Sequence, residues 1–267
     1  ACQKKALLIN SQTDRDPLMR IRCLRLVNFY RLNIWSTKDL DHSLSECLTL
    51  GKEGGFEEDY AIDCRLYGLF KTMEGNYAAG LRYLKRALRI FSKYPLKSRI
   101  YTLNIAGCYN YMGEAYRKQQ QFARAVRFYQ KAVHACGNAV FYSNLGRAYL
   151  AMGRKEESAD AFYLSNRLFN DSAALIGRSI TKGYVSILEA EKGNFSASRE
   201  LIAEAGESAR LLNSPQSLGL LALACSELTH RWPDEFSSIL KQAPDEYRRE
   251  AAALLKNIPG AYETGEL

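Results

Sequence analysis

The sequence has few residues that break regular structure and no long hydrophobic run. Its 267 residues include only 6 prolines and 18 glycines, which excludes a collagen-like, low-complexity or turn-dense all-β chain. No stretch of 18 apolar residues occurs, so the sequence predicts no membrane span. With 47% hydrophobic and 25% charged residues, the composition instead predicts a soluble chain with a substantial apolar core.

Side chains suited to metal and disulfide chemistry are sparse. The 7 cysteines are scattered and form no C-x-x-C pair, which argues against a disulfide framework or a zinc ribbon. Free cysteines used as small apolar residues are typical of a reducing compartment, and we therefore expect a cytoplasmic protein. The 3 histidines, His42, His134 and His230, form no H-x-x-H motif, so we expect no metal site.

Sequence motifs of the common catalytic folds are also missing. The chain contains no G-x-x-x-x-G-K-[ST] phosphate loop, no G-x-G-x-x-G after a predicted strand and no G-x-S-x-G nucleophile elbow. No run with the period of a β-strand competes with the helical patterns. The sequence therefore predicts no catalytic residues, no cofactor and a protein that is not an enzyme.

Acidic side chains are nearly missing from the middle of the chain. Residues 71–131 contain 13 basic side chains and only 2 acidic ones, Glu74 and Glu114. Residues 189–267 contain 8 basic and 13 acidic side chains, within an overall net charge of +8. This polarity predicts a basic surface in the middle of the chain. It also leaves self-association open, with the acidic end of one molecule on the basic middle of another.

What the chain does have is a repeated spacing of aromatic and small residues. The spacing is clearest in residues 106–138 and 139–172. In the first unit the spaced residues are Tyr109, Met112, Gly113, Tyr116, Phe122, Ala125, Tyr129 and Ala132. In the second unit they are Tyr142, Leu145, Gly146, Tyr149, Gly153 and Phe162. This spacing fits two helices packed against each other. Glycine in the first helix of the pair lets the second helix approach closely, and alanine in the second helix leaves room for neighbouring aromatic rings.

This pattern resembles the tetratricopeptide repeat, a unit of two antiparallel helices. The resemblance extends to residues 61–97 and 179–213, and residues 18–50 fit a divergent first pair with Ser36 or Thr37 as helix cap. We expect a divergent last pair, 215–230 with 233–242, and a terminal capping helix at 245–257. The resemblance implies one all-α domain over residues 1–267, a right-handed superhelical solenoid of about six helix pairs.

In the tetratricopeptide family, the first helix of each unit lines a concave groove. The resemblance therefore implies groove positions at Arg65, Leu69, Asn110, Glu114, Arg117, Lys118, Ser143, Asn144 and Arg147. The arginines and asparagines offer hydrogen bonds and positive charge to a peptide backbone or a carboxylate. Asn144 also matches the middle position of the family's carboxylate clamp for chaperone tails, but the lysine pairs of that clamp do not align.

A second candidate surface is a basic stripe on the predicted second helices. It comprises Arg82, Lys85, Arg86, Arg89 and Lys93, followed one unit later by Arg124, Arg127 and Lys131. These eight residues are called the basic outer face below. A solvated face, docking to an acidic partner and contact with nucleic-acid phosphates remain open. Only Tyr83 interleaves with the stripe to stack on bases, which gives direct nucleic-acid binding less support.

The irregular lengths of the units resemble the helical sensor regions of bacterial transcriptional regulators. These are the maltose-activator-like members of the LuxR class and regulators with a bacterial transcriptional-activation domain. The resemblance implies a non-enzymatic module that binds a peptide, a small inducer or a partner domain and relays that state to a DNA-binding domain. A stand-alone adaptor or chaperone that holds an extended peptide is the alternative.

Overall fold

A computed structural model describes residues 16–33, 36, 39–94, 99–170, 177–256 and 258. In this part of the chain every regular element is an α-helix, and no residue is in a strand. In chain order the helices are α1 Pro17–Asn33, α2 Leu40–Glu53, α3 Glu57–Met73, α4 Tyr77–Phe91, α5 Arg99–Lys118, α6 Phe122–Ala135, α7 Ala139–Ala151, α8 Lys155–Asn170, α9 Arg178–Glu191, α10 Phe195–Leu212, α11 Pro215–Arg231, α12 Pro233–Phe236 and α13 Pro244–Leu255.

Consecutive helices pack in pairs, and each pair packs on the next. The first five pairs are α1 with α2, α3 with α4, α5 with α6, α7 with α8, and α9 with α10. The first helices of neighbouring pairs also contact one another, as α3 does α5 and α5 does α7. The helical-repeat solenoid predicted from the sequence is therefore confirmed. None of the described helices combines the length and the apolar character needed to cross a membrane.

Three-residue turns join the two helices of several pairs. Gly75, Gly153 and Gly193 have φ of 83°, 72° and 80° at the middle of these turns. Such left-handed backbone is readily adopted by glycine, because no Cβ meets the preceding carbonyl. In the turn between α5 and α6 the same position holds Gln120, with φ of 58°.

Two helical glycines allow the close packing that the sequence predicts. A Cβ placed on Gly113 would lie 2.6 Å from the ring of Tyr129, which is fully buried. A Cβ on Gly146 would lie 3.1 Å from the ring of Phe162. The aromatic ring of the second helix therefore fills the space that the missing side chain leaves in the first.

A buried ion-pair network joins the first helix pair to the second. The guanidinium of Arg25 on α1 donates to both carboxylate oxygens of Asp63 on α3, at 2.7 and 2.9 Å. It also donates to Asp59 at 2.8 Å. Asp63 is fully buried, and this burial raises the pKa of its carboxyl although Arg25 acts in the opposite direction. Arg25 is therefore the main buried polar link between α1 and α3.

The predicted start of the second helix is wrong. Helix α2 begins at Leu40, after Asp39, and the amide of Ser36 instead donates to the carbonyl of Arg31 at 3.0 Å. The amide of Ser36 is therefore bonded back to α1 and Ser36 does not cap α2, while Thr37 lies outside the described residues. The predicted unit ends at 95–97, 171–172 and 257 also lie outside them.

The last pair is built differently from the prediction. Residues 233–242 contain only the four-residue helix α12, so they are not the second helix of a sixth pair. That position is taken by α13, which packs on α11 with Leu255 against Gly219. Pro244 stands at the first position of α13, where its missing amide hydrogen costs no bond, and so starts a new helix.

Candidate ligand-binding cavity on the first helices

A cavity of about 190 Å³ lies where first helices of consecutive pairs face one another. Seven of the nine predicted groove residues line it, namely Leu69, Asn110, Glu114, Lys118, Ser143, Asn144 and Arg147. They come from α3, α5 and α7, because the repeat brings equivalent turns of these helices side by side. That these residues bind a ligand stays a prediction.

The other two predicted groove residues support the lining from behind. Arg117 is fully buried, and its Nε and one terminal nitrogen each donate to the Glu114 carboxylate at 2.9 Å. Arg65 donates to the hydroxyl of Tyr111 at 3.3 Å, and its guanidinium lies 5.5 Å from the centre of that ring. Tyr111 itself lines the cavity. Both arginines therefore position other side chains of the cavity wall.

Glu114 is the centre of a charge cluster. The hydroxyl of Tyr129 donates to it at 3.0 Å, and the Nζ of Lys118 lies 3.9 Å from its Oε1. Burial alone would raise the pKa of Glu114, but the cations Arg117, Lys118 and Arg147 hold this pKa well below its usual range. The carboxylate is therefore ionised at neutral pH.

The cavity has more positive than negative charge. Among the described residues that line it, Glu114 is the one acidic side chain, whereas Lys118 and Arg147 are cations. Both cations are almost completely buried, and Arg117 lies directly behind Glu114. Because buried charges interact through a medium of low polarity, this excess favours a ligand with an anionic group.

Neutral polar groups fill the space between these charges. Asn144 donates to the side-chain oxygen of Asn110 at 3.0 Å, which links α7 to α5. The hydroxyl of Thr181 on α9 donates to Ser143 on α7 at 2.8 Å. Amide and hydroxyl groups can both donate and accept, and so they match the alternating groups of a peptide backbone.

The cavity also contains residues that the sequence pattern did not indicate. They include Leu32 and Asn33 from α1, Met73 from α3, Tyr111 from α5, Gly177 and Ile180 at the start of α9, and Leu212, Ser214, Gln216 and Ser217 around the turn from α10 to α11. Both ends of the repeat array therefore line one cavity. No local sequence signal predicts this closure, because it depends on curvature accumulated over several pairs.

The basic outer face is separate from the cavity. All eight of its residues are exposed, and none of them lines the cavity. Some have partners: Arg86 donates to the hydroxyl of Tyr60 at 2.9 Å, Arg124 to Gln121 at 2.8 Å, and Lys93 pairs with Glu57. The structure therefore places the predicted stripe on α4, on α6 and just after α4.

The cysteines and other metal-binding side chains are dispersed. Among the described residues, no cluster of three or more His, Cys, Asp or Glu side chains could hold a metal ion. Burial raises the pKa of the Cys64, Cys108 and Cys225 thiols to about 12. These thiols are therefore neutral packing groups, while Cys2 lies outside the described residues.

Comparisons with known proteins agree with the repeat architecture. Residues 105–140, which span most of the α5–α6 pair, match the tetratricopeptide repeat family. No curated protein matches the chain in sequence at a significant level. Among solved structures, the apo form of RapI is similar, with a TM-score of 0.57 and 14% identity over 95% of this chain and 79% of that chain. At this identity the likeness concerns the fold alone. Together, the match and the likeness support a tetratricopeptide-repeat type of helical fold for this protein.

Proposed function

We propose that the protein is a non-enzymatic interaction module that binds an extended peptide, with a carboxylate of that peptide seated in the cavity beside Lys118 and Arg147. The observation that supports this most is the convergence of the cations Lys118 and Arg147 and the amides of Asn110 and Asn144, from two successive repeats, on one cavity. Charge-assisted hydrogen bonds to a carboxylate are strong, and a buried setting makes them selective.

The size of the cavity favours an anchored peptide over a small inducer. Sites that enclose a whole drug-sized molecule measure about 300–1,000 Å³, whereas this cavity measures about 190 Å³. It has room for a side chain and its neighbouring backbone, which the amides of Asn110 and Asn144 would bond. The rest of the peptide would then follow the concave face.

The closure of the repeat array favours a sensor over a passive adaptor. Leu32 and Asn33 belong to the first helix, and Gln216 and Ser217 to the eleventh, yet all four line the same cavity. A ligand seated there touches both ends of the array and therefore stabilises one curvature relative to others. In this proposal the curvature is the signal that reaches a partner or an attached effector domain.

A library of fluorescein-labelled hexapeptides tests the binding part of the proposal. We expect peptides that contain Asp or Glu to be selected, and replacement of that residue by Asn or Gln to weaken binding at least tenfold. Equal binding of the acidic and amide peptides would contradict the proposal, as would the absence of any selected peptide.

Small-angle X-ray scattering of the protein with the selected peptide tests the sensor part. We expect a smaller radius of gyration and a shorter maximum dimension in the complex, because the ligand bridges the two ends. An unchanged scattering profile at saturating peptide would favour the stand-alone adaptor.

A further inference from the structure

Three aromatic rings lie beside the cations of the basic outer face. Tyr116 of α5 stacks on Phe128 of α6, with ring centres 5.2 Å apart and an interplanar angle of 15°. Tyr109 lies two turns before Tyr116 on the same face of α5, and its ring centre is 6.4 Å from that of Phe128. All three rings are half-buried. The expectation that Tyr83 alone accompanies the cations was therefore incomplete, because Phe128 lies on α6 among the cations and helix packing adds Tyr109 and Tyr116 from α5.

Cations of the outer face lie over these rings. The guanidinium of Arg124 is 5.8 Å from the centre of the Tyr116 ring, and the Nζ of Lys131 is 5.3 Å from that of Phe128 and 5.8 Å from that of Tyr109. Arg124, Arg127 and Lys131 line a hollow with Tyr116 and Phe128. Lys85 and Arg89 line a second hollow with Tyr109, so the rings connect the cations of α4 and α6.

The positive charge of this surface is largely uncompensated. Within the described chain, Lys85, Arg89 and Arg127 make no ion pair or side-chain hydrogen bond. Neither acidic residue of the 71–131 segment neutralises it. The Oε2 of Glu74 lies 2.9 Å from the Nζ of Lys71, and Glu114 lines the cavity. The surface therefore concentrates an exposed positive field next to aromatic rings.

We propose that this surface binds single-stranded nucleic acid without base specificity, with phosphates on the cations and bases against the rings and the Arg124 guanidinium. Each contact between a cation and a phosphate releases condensed counterions from the nucleic acid, and this release drives binding. An array of exposed cations can make several such contacts. Aromatic rings and arginine planes stack on any base, so affinity needs no sequence preference. The proposal is independent of the peptide cavity, since the two surfaces share no residue.

An acidic protein surface is the competing partner class. Helix α10 of a second copy would offer one, because Glu200, Glu204 and Glu207 are exposed on it at helical spacing. Exposed ion pairs between proteins contribute little each, however, and Glu204 already pairs with Lys182. Acidic side chains would also leave the rings without a stacking partner. The observations therefore favour nucleic acid.

Fluorescence anisotropy with fluorescein-labelled dT20 over about 50–300 mM NaCl tests the proposal. We expect log K to fall linearly with log salt. The Arg124→Glu/Lys131→Glu variant should bind at least tenfold more weakly with a shallower slope. The matched control is Arg248→Glu/Arg249→Glu, at two exposed positions of α13. It changes the net charge by the same amount and should bind dT20 like the wild type.

Stacking is tested by Phe128→Leu and, separately, Tyr116→Leu, in proteins whose thermal melts match the wild type. Each should weaken dT20 binding about tenfold with an unchanged salt slope.

Absence of binding at the lowest salt, or equal effects of the two charge reversals, would overturn the proposal. Polyglutamate that competes as well as dT20 would assign the surface to an acidic protein instead. A salt-sensitive dimer that the Arg124→Glu/Lys131→Glu variant loses, without dT20 binding, would assign it to a second copy.

Discussion

Asn144 donates a 3.0 Å hydrogen bond to Asn110, and the two residues are 34 positions apart in the chain. Equivalent residues of these two repeats, such as Gly113 and Gly146, are 33 positions apart, so the bond joins the same turn of successive first helices with an offset of one residue. Both side chains line the cavity. The cavity is therefore a direct product of the repeat, which places the same turn of α5 and α7 side by side.

Gly113→Ala tests the close packing within the α5–α6 pair. The new methyl group would lie 2.6 Å from the buried ring of Tyr129, so the ring or the helix has to move. Overpacking of this kind costs about 1–3 kcal/mol, and the better helix propensity of alanine offsets about 1 kcal/mol of it. Urea denaturation should show a net loss of up to about 2 kcal/mol in the free energy of unfolding.

Gly206→Ala is the matched control for this substitution. Gly206 also lies inside a helix, but a Cβ there would meet nothing closer than 3.6 Å. Alanine is the better helix former by about 1 kcal/mol, so this variant should be as stable as the wild type or more stable. Equal losses in the two variants would show that helical glycine, and not the Tyr129 contact, sets the effect.

Arg25→Met tests the network that joins α1 to α3. The substitution leaves the fully buried carboxylate of Asp63 without its guanidinium. Breaking a buried pair in this way costs about 3–5 kcal/mol. Arg22→Met is the control. Arg22 is mostly exposed, and its Nε lies 3.4 Å from Asp59 Oδ1, a longer contact than those of Arg25. Its loss should therefore lower the free energy of unfolding by less than about 1 kcal/mol. Similar unfolding midpoints for the two variants would contradict the assignment.

The lowered pKa of Glu114 predicts a specific loss of stability in acid. The unfolded chain takes up a proton near the ordinary glutamate value of 4.5, whereas the folded carboxylate stays ionised to lower pH. The contribution of this carboxylate to the free energy of unfolding is therefore complete above pH 4.5. It is lost as the pH falls towards the pKa of the folded state, at up to about 1.4 kcal/mol per pH unit.

Glu114→Gln removes this titration. The free energy of unfolding of the variant should lie below that of the wild type at pH 7, and the two should converge as the pH falls below about 4.5. Urea titrations at several pH values measure both curves. Parallel curves over this range would show that Glu114 does not hold its charge in the folded protein.

The buried thiols predict slow alkylation of the folded protein. With the pKa of Cys64, Cys108 and Cys225 at about 12, only about one thiol in ten thousand is ionised at pH 8. N-ethylmaleimide should therefore label these residues only after denaturation, as peptide mass spectrometry would show. The half-buried Cys136 is the internal comparison and should react first. Rapid labelling of Cys108 in the native protein would contradict its placement in the core.

The local part of the fold could be predicted from the sequence, and the long-range part could not. The spacing of Gly113, Tyr129 and their equivalents indicated the helix pairs, because packing within a pair involves residues close in sequence. The contribution of Leu32 and Gln216 to one cavity could not be read from any local pattern, since it arises from curvature over the whole array. Two of the rings beside the basic outer face were missed for a similar reason, because Tyr109 and Tyr116 come from a neighbouring helix, whereas Phe128 could have been read from the sequence between Arg127 and Lys131. The sixth pair was misjudged because the predicted helix at 233–242 contains only the four-residue α12, so that the predicted terminal helix, α13, takes the place of the second helix.

The most direct test of the account is whether filling the cavity abolishes binding of the selected acidic hexapeptide. Val140 lines the cavity, and Tyr142, two residues further along α7, does not. We predict that Val140→Trp and Lys118→Met each weaken binding at least tenfold by isothermal titration calorimetry, while Tyr142→Trp binds like the wild type. Wild-type affinity in the correctly folded Val140→Trp variant would contradict the account, because the peptide would then bind elsewhere.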